Sequence, residues 1–307
     1  MSKATVIGVG SLGSCIAYEI ANRGLVDELV LVDICRELAE GNAADISQAL
    51  AFRSNVKVTD GSYGEAEDSD IVVVTAGKPR TPDMESRMEL LEANKKIIST
   101  VASNLKKMSG NPVIVTLTNP VDVMNYVMWK STGLERGRAL GSAGMLDSAR
   151  FRTVLSRRCR APILDVEAYV IGEHGENQVP VFSKVKVRGK MTTFSMRERT
   201  GIAHELRQSA LDVISKKGAT IFAPANNTAN LVESILKNSK ETAVCSAVLD
   251  GEYGLGKVSI GVPVTLGLNG IERIVQWELD EEERRSFYRG ADYLSKTVRE
   301  LLQPQTS

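Results

Sequence analysis

The sequence contains only two histidines, and one of them keeps company that suits chemistry. His174 lies between glycines in Gly172-Glu173-His174-Gly175, directly after a strand-like run. Histidine is the side chain whose ordinary pKa places proton exchange near neutral pH. In Leu146-Asp147-Ser148-Ala149-Arg150-Phe151-Arg152, which begins a helix, Asp147 and Arg150 stand three apart and share a face. The stretch from Ala76 to Arg87 follows a strand, precedes a long helix and carries Arg80 and Arg87. Thr118-Asn119-Pro120-Val121-Asp122 follows the next strand, and loops after parallel strands are where such sheets bind ligands. Arginine offers a planar, two-point grip on a carboxylate that lysine cannot match. His204, on an amphipathic helix, is read as structural or merely exposed.

A second group of residues suits a dinucleotide. Gly8-Val9-Gly10-Ser11-Leu12-Gly13 is a G-x-G-x-x-G that follows the first strand and opens a helix. The first glycine permits the tight turn, the second lets backbone approach a pyrophosphate, and the third lets helix and strand pack closely. The second strand ends in Asp33, twenty residues after Gly13, where a carboxylate can accept from ribose hydroxyls and repel a 2′-phosphate. NAD is therefore expected, and Arg36, three residues on, leaves some NADP use open. Gly251-Glu252-Tyr253-Gly254-Leu255-Gly256 has similar glycines but lies between two late strands, as a hairpin turn would. Tyr126 and Lys130 have the Tyr-x-x-x-Lys spacing of short-chain reductases, and are read as ordinary helix spacing.

Elements must hold these groups in place. The chain has 307 residues, enough for two domains. With 43% apolar and 25% charged residues it has a globular, not a disordered, composition. Lys+Arg and Asp+Glu both number 38, so no bulk field attracts nucleic acid or an anionic membrane, and neither is expected as a partner. An anionic ligand must be held by a few placed cations. The apolar runs are too short to cross a bilayer, and the N-terminal residues enter a strand without a leader-like segment. Four scattered cysteines and two histidines give no metal-ligand spacing, so no metal is expected. The sequence reads as an intracellular, cytoplasmic protein.

In the first half, strands are expected over 4–9, 28–33, 56–59, 70–75 and 112–116, with helices over 12–23, 37–51 and 88–108. That alternation predicts an α/β fold, a doubly wound parallel sheet covered on both faces. Beyond Gly141 the pattern becomes α+β. Strands are expected over 164–171 and 181–187, pairing antiparallel, and again over 244–250, 258–264 and 271–277. Helices are expected over 201–217, 225–236 and 280–302. Residues 1–141 are assigned to a Rossmann-type nucleotide-binding domain and 142–307 to an α+β catalytic domain.

From the glycine loop to the final helix, the chain resembles the lactate/malate dehydrogenase family. The Gly-Glu-His-Gly, Leu-Asp-Ser-Ala-Arg-Phe-Arg and Thr-Asn-Pro-Val-Asp stretches are specific together. The resemblance implies that His174 accepts and donates the proton, with Asp147 orienting its imidazole and raising its pKa. Arg150 would take the substrate's 1-carboxylate, Arg87 would polarise the carbonyl on loop closure, and Asn119 would position substrate and nicotinamide. The implied cofactor contacts are Gly8, Gly10, Ser11, Leu12, Gly13 and Asp33, with Ala76, Gly77, Asn94, Thr118 and Asn119. Thr220, in Lys217-Gly218-Ala219-Thr220, would form a wall near the substrate's 2-position.

In malate-specific relatives an arginine early in the loop pairs with the second carboxylate, where lactate-specific relatives commonly have glutamine. Counting from Gly77, Arg80 takes that place, so (S)-malate and oxaloacetate are the expected pair, as in the tricarboxylic acid cycle. The stretch from Arg80 to Arg87 reads one residue longer than the commonest form, which leaves lactate and pyruvate as the alternative. A dinucleotide-binding regulatory protein without catalysis is a third reading, opposed by the intact His174, Asp147, Arg150 and Arg87 set. The family implies a homo-oligomer, tetramer before dimer. Activation by a sugar bisphosphate is not expected, because Glu167 stands where a basic partner for Arg152 would be needed. Arg157, Arg158 and Arg160, and Asp280 to Glu283, are read as charged helix ends.

Overall fold

The computed structural model describes residues 1–79 and 87–303, with Arg87 described by its backbone alone. Six short strands alternate with helices in the first half. They are β1 (Lys3–Ile7), α1 (Ser11–Asn22), β2 (Glu28–Val32), α2 (Arg36–Leu50), β3 (Lys57–Asp60), β4 (Ile71–Val74), α3 (Arg87–Leu105), β5 (Val113–Thr116), α4 (Val121–Thr132) and β6 (Ala139–Gly141). Across the sheet the order is β3-β2-β1-β4-β5-β6, with every neighbouring pair parallel. This is the expected doubly wound arrangement, and it leaves a crevice at the carboxyl ends of β1 and β4, where the order reverses. Every residue of β4 and β5 is buried, as helices on both faces require.

The second half contains α5 (Gly144–Cys159), β7 (Val166–Glu167), β8 (Val170–Gly172), β9 (Gln178–Pro180), β10 (Lys186–Val187), β11 (Lys190–Met191), α6 (Met196–Lys217), α7 (Phe222–Leu236), β12 (Thr242–Asp250), β13 (Gly256–Gly267), β14 (Gly270–Ile274) and α8 (Glu281–Leu302). The sheet does not stop at β6. Strand β12 pairs antiparallel with it, Ser246 opposite Gly141, and β13, β8 and β9 follow. Strands β11, β10 and β7 form a separate small sheet. The Gly251 to Gly256 segment is the hairpin turn between β12 and β13, closed by Gly251 N–H donating to the Leu255 carbonyl at 2.7 Å. Among the described residues no helix is long and apolar enough to cross a membrane.

Two expected strands are only partly strands. Residues 164–171 divide into a single 3-10 turn, β7 and β8, and within 181–187 Phe182–Lys184 is a 3-10 turn. The antiparallel pairing survives where both segments are extended, with Lys186 opposite Glu167 and Val187 opposite Val166. Val181, Phe182 and Val185 are buried in the core, so their apolar character reflects packing, not a ladder. Helix α4 escapes a periodicity search because Val121 to Met128 are all buried, leaving no polar face to alternate with. Helix α6 starts five residues before the expected 201. Ser195 and Glu198 form a reciprocal capping box there, and that Ser-x-x-Glu was present in the sequence.

Candidate active site

The glycine loop is built to leave room. A Cβ on Gly13 would sit 1.9 Å from the Gly8 carbonyl oxygen, so no other residue allows α1 to lie this close to β1. A Cβ on Gly10 would meet nothing within 4 Å, which leaves that stretch of backbone open on the crevice side. Gly10 caps α1 without a side-chain hydrogen bond, and the first turn holds no acidic residue. The leading N–H groups and the positive end of the helix dipole are thus available to an anion. Asp33 sits at the end of β2, its Oδ2 accepting from Val9 N–H at 2.8 Å and its Oδ1 from Cys35 N–H at 2.9 Å. These bonds fix the carboxylate beside the glycine turn, where it can meet a ribose. A dinucleotide fits this set: open backbone and a bare helix end for pyrophosphate, and a fixed carboxylate for ribose.

The neighbouring loops are tied together by a buried amide. Asn94 on α3 is 1% exposed. Its Oδ1 accepts from Lys78 N–H at 2.7 Å, and its Nδ2 donates to the carbonyls of Asn119 at 2.7 Å and Lys78 at 3.2 Å. It therefore clamps the loop after β4 to the loop after β5. Thr118 Oγ1 donates to the Ala76 carbonyl at 2.7 Å, reinforcing the clamp. A Cβ on Gly77 would lie 2.5 Å from Thr118 Cγ2, so only a residue without one fits. The Asn119 residue itself is exposed at the end of β5.

Helix α5 delivers two charged residues. Phe151, Val154 and Leu155 are fully buried against Val166, Val170 and Phe182, which anchors the helix to the second core. Ser148 Oγ accepts from Val170 N–H at 3.0 Å and so ties α5 to β8 one residue beyond Asp147. Gly172 ends β8 at φ +87°, a conformation that suits glycine, and turns the chain toward His174. His174 Nδ1 lies 2.6 Å from Asp147 Oδ2, and Arg150 Nη1 donates to Asp147 Oδ1 at 3.0 Å. Asp147 is 4% exposed. Burial by itself would push the His174 imidazole down, but the charge and hydrogen bond of Asp147, with the charge of Asp122, outweigh it, and the pKa ends above its ordinary value. Nδ1 is committed to the carboxylate, so Nε2 is the nitrogen left to exchange a proton with a substrate. Arg150 uses one guanidinium nitrogen on Asp147, and its others have no partner among the described residues. They can take a carboxylate.

The remaining candidates divide. Arg80 and the side chain of Arg87 lie outside the described residues. Thr220 is half-buried in the connection between α6 and α7, with no hydrogen bond linking it to His174 among the described residues. Arg36 lies on the surface 3.7 Å from Asp60. Tyr126 is buried edge-on against Trp129 while Lys130 is exposed, so this pair forms no reductase-like site. Glu167 pairs with Lys186 at 3.0 Å, and Arg152 donates to the Ile163 carbonyl at 3.3 Å. Arg157 and Arg158 close the last turn of α5, and Asp280 caps α8. The residue that sequence reasoning passed over is Asp122. It stands inside the Thr-Asn-Pro-Val-Asp stretch, yet only the fold shows its carboxylate beneath His174, accepting from the His174 N–H at 2.8 Å.

Known proteins resemble this chain over nearly its whole length. Residues 2–141 match the family model for the lactate/malate dehydrogenase NAD binding domain, and residues 144–304 that for the lactate/malate dehydrogenase alpha/beta C-terminal domain. The malate dehydrogenase of Halobacterium salinarum is 44% identical over 98% of this chain and all of its own length. The L-lactate dehydrogenase of Bacillus velezensis is 36% identical over 96% of this chain and 95% of its own. The crystal structure of Cryptosporidium parvum malate dehydrogenase superposes with a TM-score of 0.92 at 32% identity, covering 98% of each chain. The match covers both halves of the chain, and the chain belongs to the lactate/malate dehydrogenase family, whose first domain binds NAD.

Proposed function

We propose that the protein is an NAD-dependent malate dehydrogenase interconverting (S)-malate and oxaloacetate. The observation that carries this reading is the His174–Asp147–Arg150 cluster. The greater identity to the malate enzyme, 44% against 36% for the lactate enzyme, supports the substrate. Arg80 is the cation assigned to the second carboxylate, since burying an uncompensated carboxylate is costly. Residues 1–141 hold the cofactor in this reading, and 142–307 supply the base.

NAD, when bound, supplies the hydride acceptor or donor. The chain's own groups do the rest. The glycine loop and the α1 N-terminus take the pyrophosphate, and Asp33 takes the ribose hydroxyls. Ser11 and Leu12 line the same turn, and Ala76, Gly77, Thr118 and Asn119 line the floor where the nicotinamide and substrate meet, held in register by Asn94. Arg150 grips the 1-carboxylate. In oxidation, neutral His174 removes the hydroxyl proton at Nε2, and Asp147 stabilises the imidazolium that results. In reduction, the imidazolium returns that proton to the carbonyl oxygen. Arg87 polarises the carbonyl as its loop closes and excludes water, and Thr220 bounds the 2-position. Cytoplasmic operation is supported by the four unpaired cysteines. Exposed Leu211, Val213, Ile214 and Phe222 support burial in a homo-oligomer, and the family resemblance favours a tetramer over a dimer. Malate oxidation would place the protein in the tricarboxylic acid cycle.

His174→Asn tests the assignment. Oxaloacetate turnover should be abolished while NADH binding, followed by fluorescence, stays within about twofold. Retained turnover, or loss of NADH binding, would contradict the role given to His174.

A further inference from the structure

His174 is held by more than its ring. Below its backbone, Asp122 receives the His174 N–H on Oδ2 at 2.8 Å and the Ser246 hydroxyl on Oδ1 at 2.5 Å. Ser246 Oγ is 2.9 Å from Ser259 Oγ, which in turn accepts from Asn125 Nδ2 at 2.9 Å. Because Asn125 donates to Ser259, the Ser259 proton turns to Ser246, and the Ser246 proton turns to Asp122. Every donor in the chain points toward the carboxylate, the arrangement an ionised aspartate requires. All four side chains are buried, and Asp122 is 2% exposed.

The network also crosses the fold. Asp122 and Asn125 lie on α4, which continues the loop carrying Thr118 and Asn119, whereas Ser246 and Ser259 lie on β12 and β13. His174 follows β8. The proton-transfer residue is thereby pinned to the element whose preceding loop faces the nucleotide. The charged and polar groups around Asp122 and His174 are Asp147 and Arg150 from α5, Glu173, whose carboxylate accepts from Asn177, and Tyr293 and Thr297 from α8. Tyr293 and Thr297 line, with Asp122 and Glu173, a cavity of about 10 Å³, the size of one water. Among these described groups Arg150 is the one positive charge apart from His174 itself.

We infer that Asp122 is a positioning residue for His174, a second buried carboxylate that fixes the backbone of the base to the nucleotide-side loop and adds negative charge near its ring. The inference rests on the role proposed for His174. Burial drives the Asp122 carboxyl up to about 6, against the Ser246 and His174 donors, so above pH 7 it is largely ionised. Its charge then favours the imidazolium at and above neutral pH.

The test is the titration of the His174 ring by NMR, simplified by there being only two histidines and assigned with His204→Gln. Asp122→Asn keeps an oxygen to accept the His174 N–H but removes the charge. The His174 midpoint should fall by about one pH unit, with His204 unmoved. The alkaline fall of oxaloacetate reduction should shift down with it. Ser246→Ala leaves the charge but removes one donor, so Asp122 ionises less readily and the His174 midpoint should fall by less, about a third of a unit. An unchanged midpoint in Asp122→Asn overturns the inference, even if activity drops. If that variant does not fold, an unchanged or raised midpoint in Ser246→Ala overturns it. Absence of oxaloacetate turnover in the unmutated protein would overturn the functional reading instead, and the ring titration would remain interpretable.

Discussion

Asp147→Asn isolates the electrostatic part of the site, because it changes a charge and almost no volume. In the folded protein Asp147 Oδ2 lies 2.6 Å from His174 Nδ1 in a buried setting, so salt screens the pair little. Two unit charges about 4 Å apart interact by about 4 kcal/mol at an effective dielectric of about 20. Asparagine retains an oxygen that can accept the Nδ1 proton, so part of the hydrogen bond survives. A net loss of about 2–3 kcal/mol of imidazolium stabilisation remains, equivalent to a rate loss of about 30- to 150-fold. The sign follows from the raised His174 pKa. Reduction needs the imidazolium and falls as pH rises through that pKa; oxidation needs the neutral ring and rises through it. Removing the Asp147 charge moves both limbs to lower pH. An enzyme cannot alter the equilibrium constant, so kcat/KM must fall in both directions together. The assay is steady-state kinetics of both directions across pH, on protein whose circular dichroism and melting match the unmutated form. A loss below about fivefold, or pH limbs that stay in place, would refute this account of the pair.

Other expectations test the remaining supports. Arg150→Lys should raise KM for oxaloacetate by about 100-fold with less change in kcat, since a lysine keeps the charge but loses the two-point grip; an unchanged KM would remove Arg150 from substrate binding. Phe151→Ala, at a fully buried position beneath the Asp147–Arg150 turn, should cost about 3–5 kcal/mol in urea unfolding, and a loss under about 1 kcal/mol would show that the second core does not anchor α5.

Much of this site was legible in the sequence because its chemistry is carried by local patterns. The glycine loop, Asp33 and the Gly-Glu-His-Gly stretch each sit at the end of a strand, and strand ends are marked by residues that alternate or turn sharply. The union of Asp147 and Arg150 followed from helix spacing alone. What escaped was either fully buried or made by distant segments. Helix α4 has no polar face over Val121 to Met128, so periodicity had nothing to report. Asp122 stands within a recognisable motif, yet its partners Ser246 and His174 lie 124 and 52 residues away in sequence. Asn94 gave no signal that it clamps two loops through backbone groups. The segment from Val181 to Val187 shows the converse, since its β-branched residues predict a strand but mark burial, and only Lys186–Val187 is extended as one. Residue types report burial more faithfully than they report hydrogen-bonding pattern.

The central claim is that this site reduces a dicarboxylate, with Arg80 meeting the second carboxylate. It is tested most directly by steady-state reduction of oxaloacetate and pyruvate with NADH, in the unmutated protein and in Arg80→Gln. The account predicts kcat/KM for oxaloacetate at least about 100-fold above that for pyruvate, with Arg80→Gln collapsing the ratio mainly through oxaloacetate. A preference for pyruvate in the unmutated protein would contradict it.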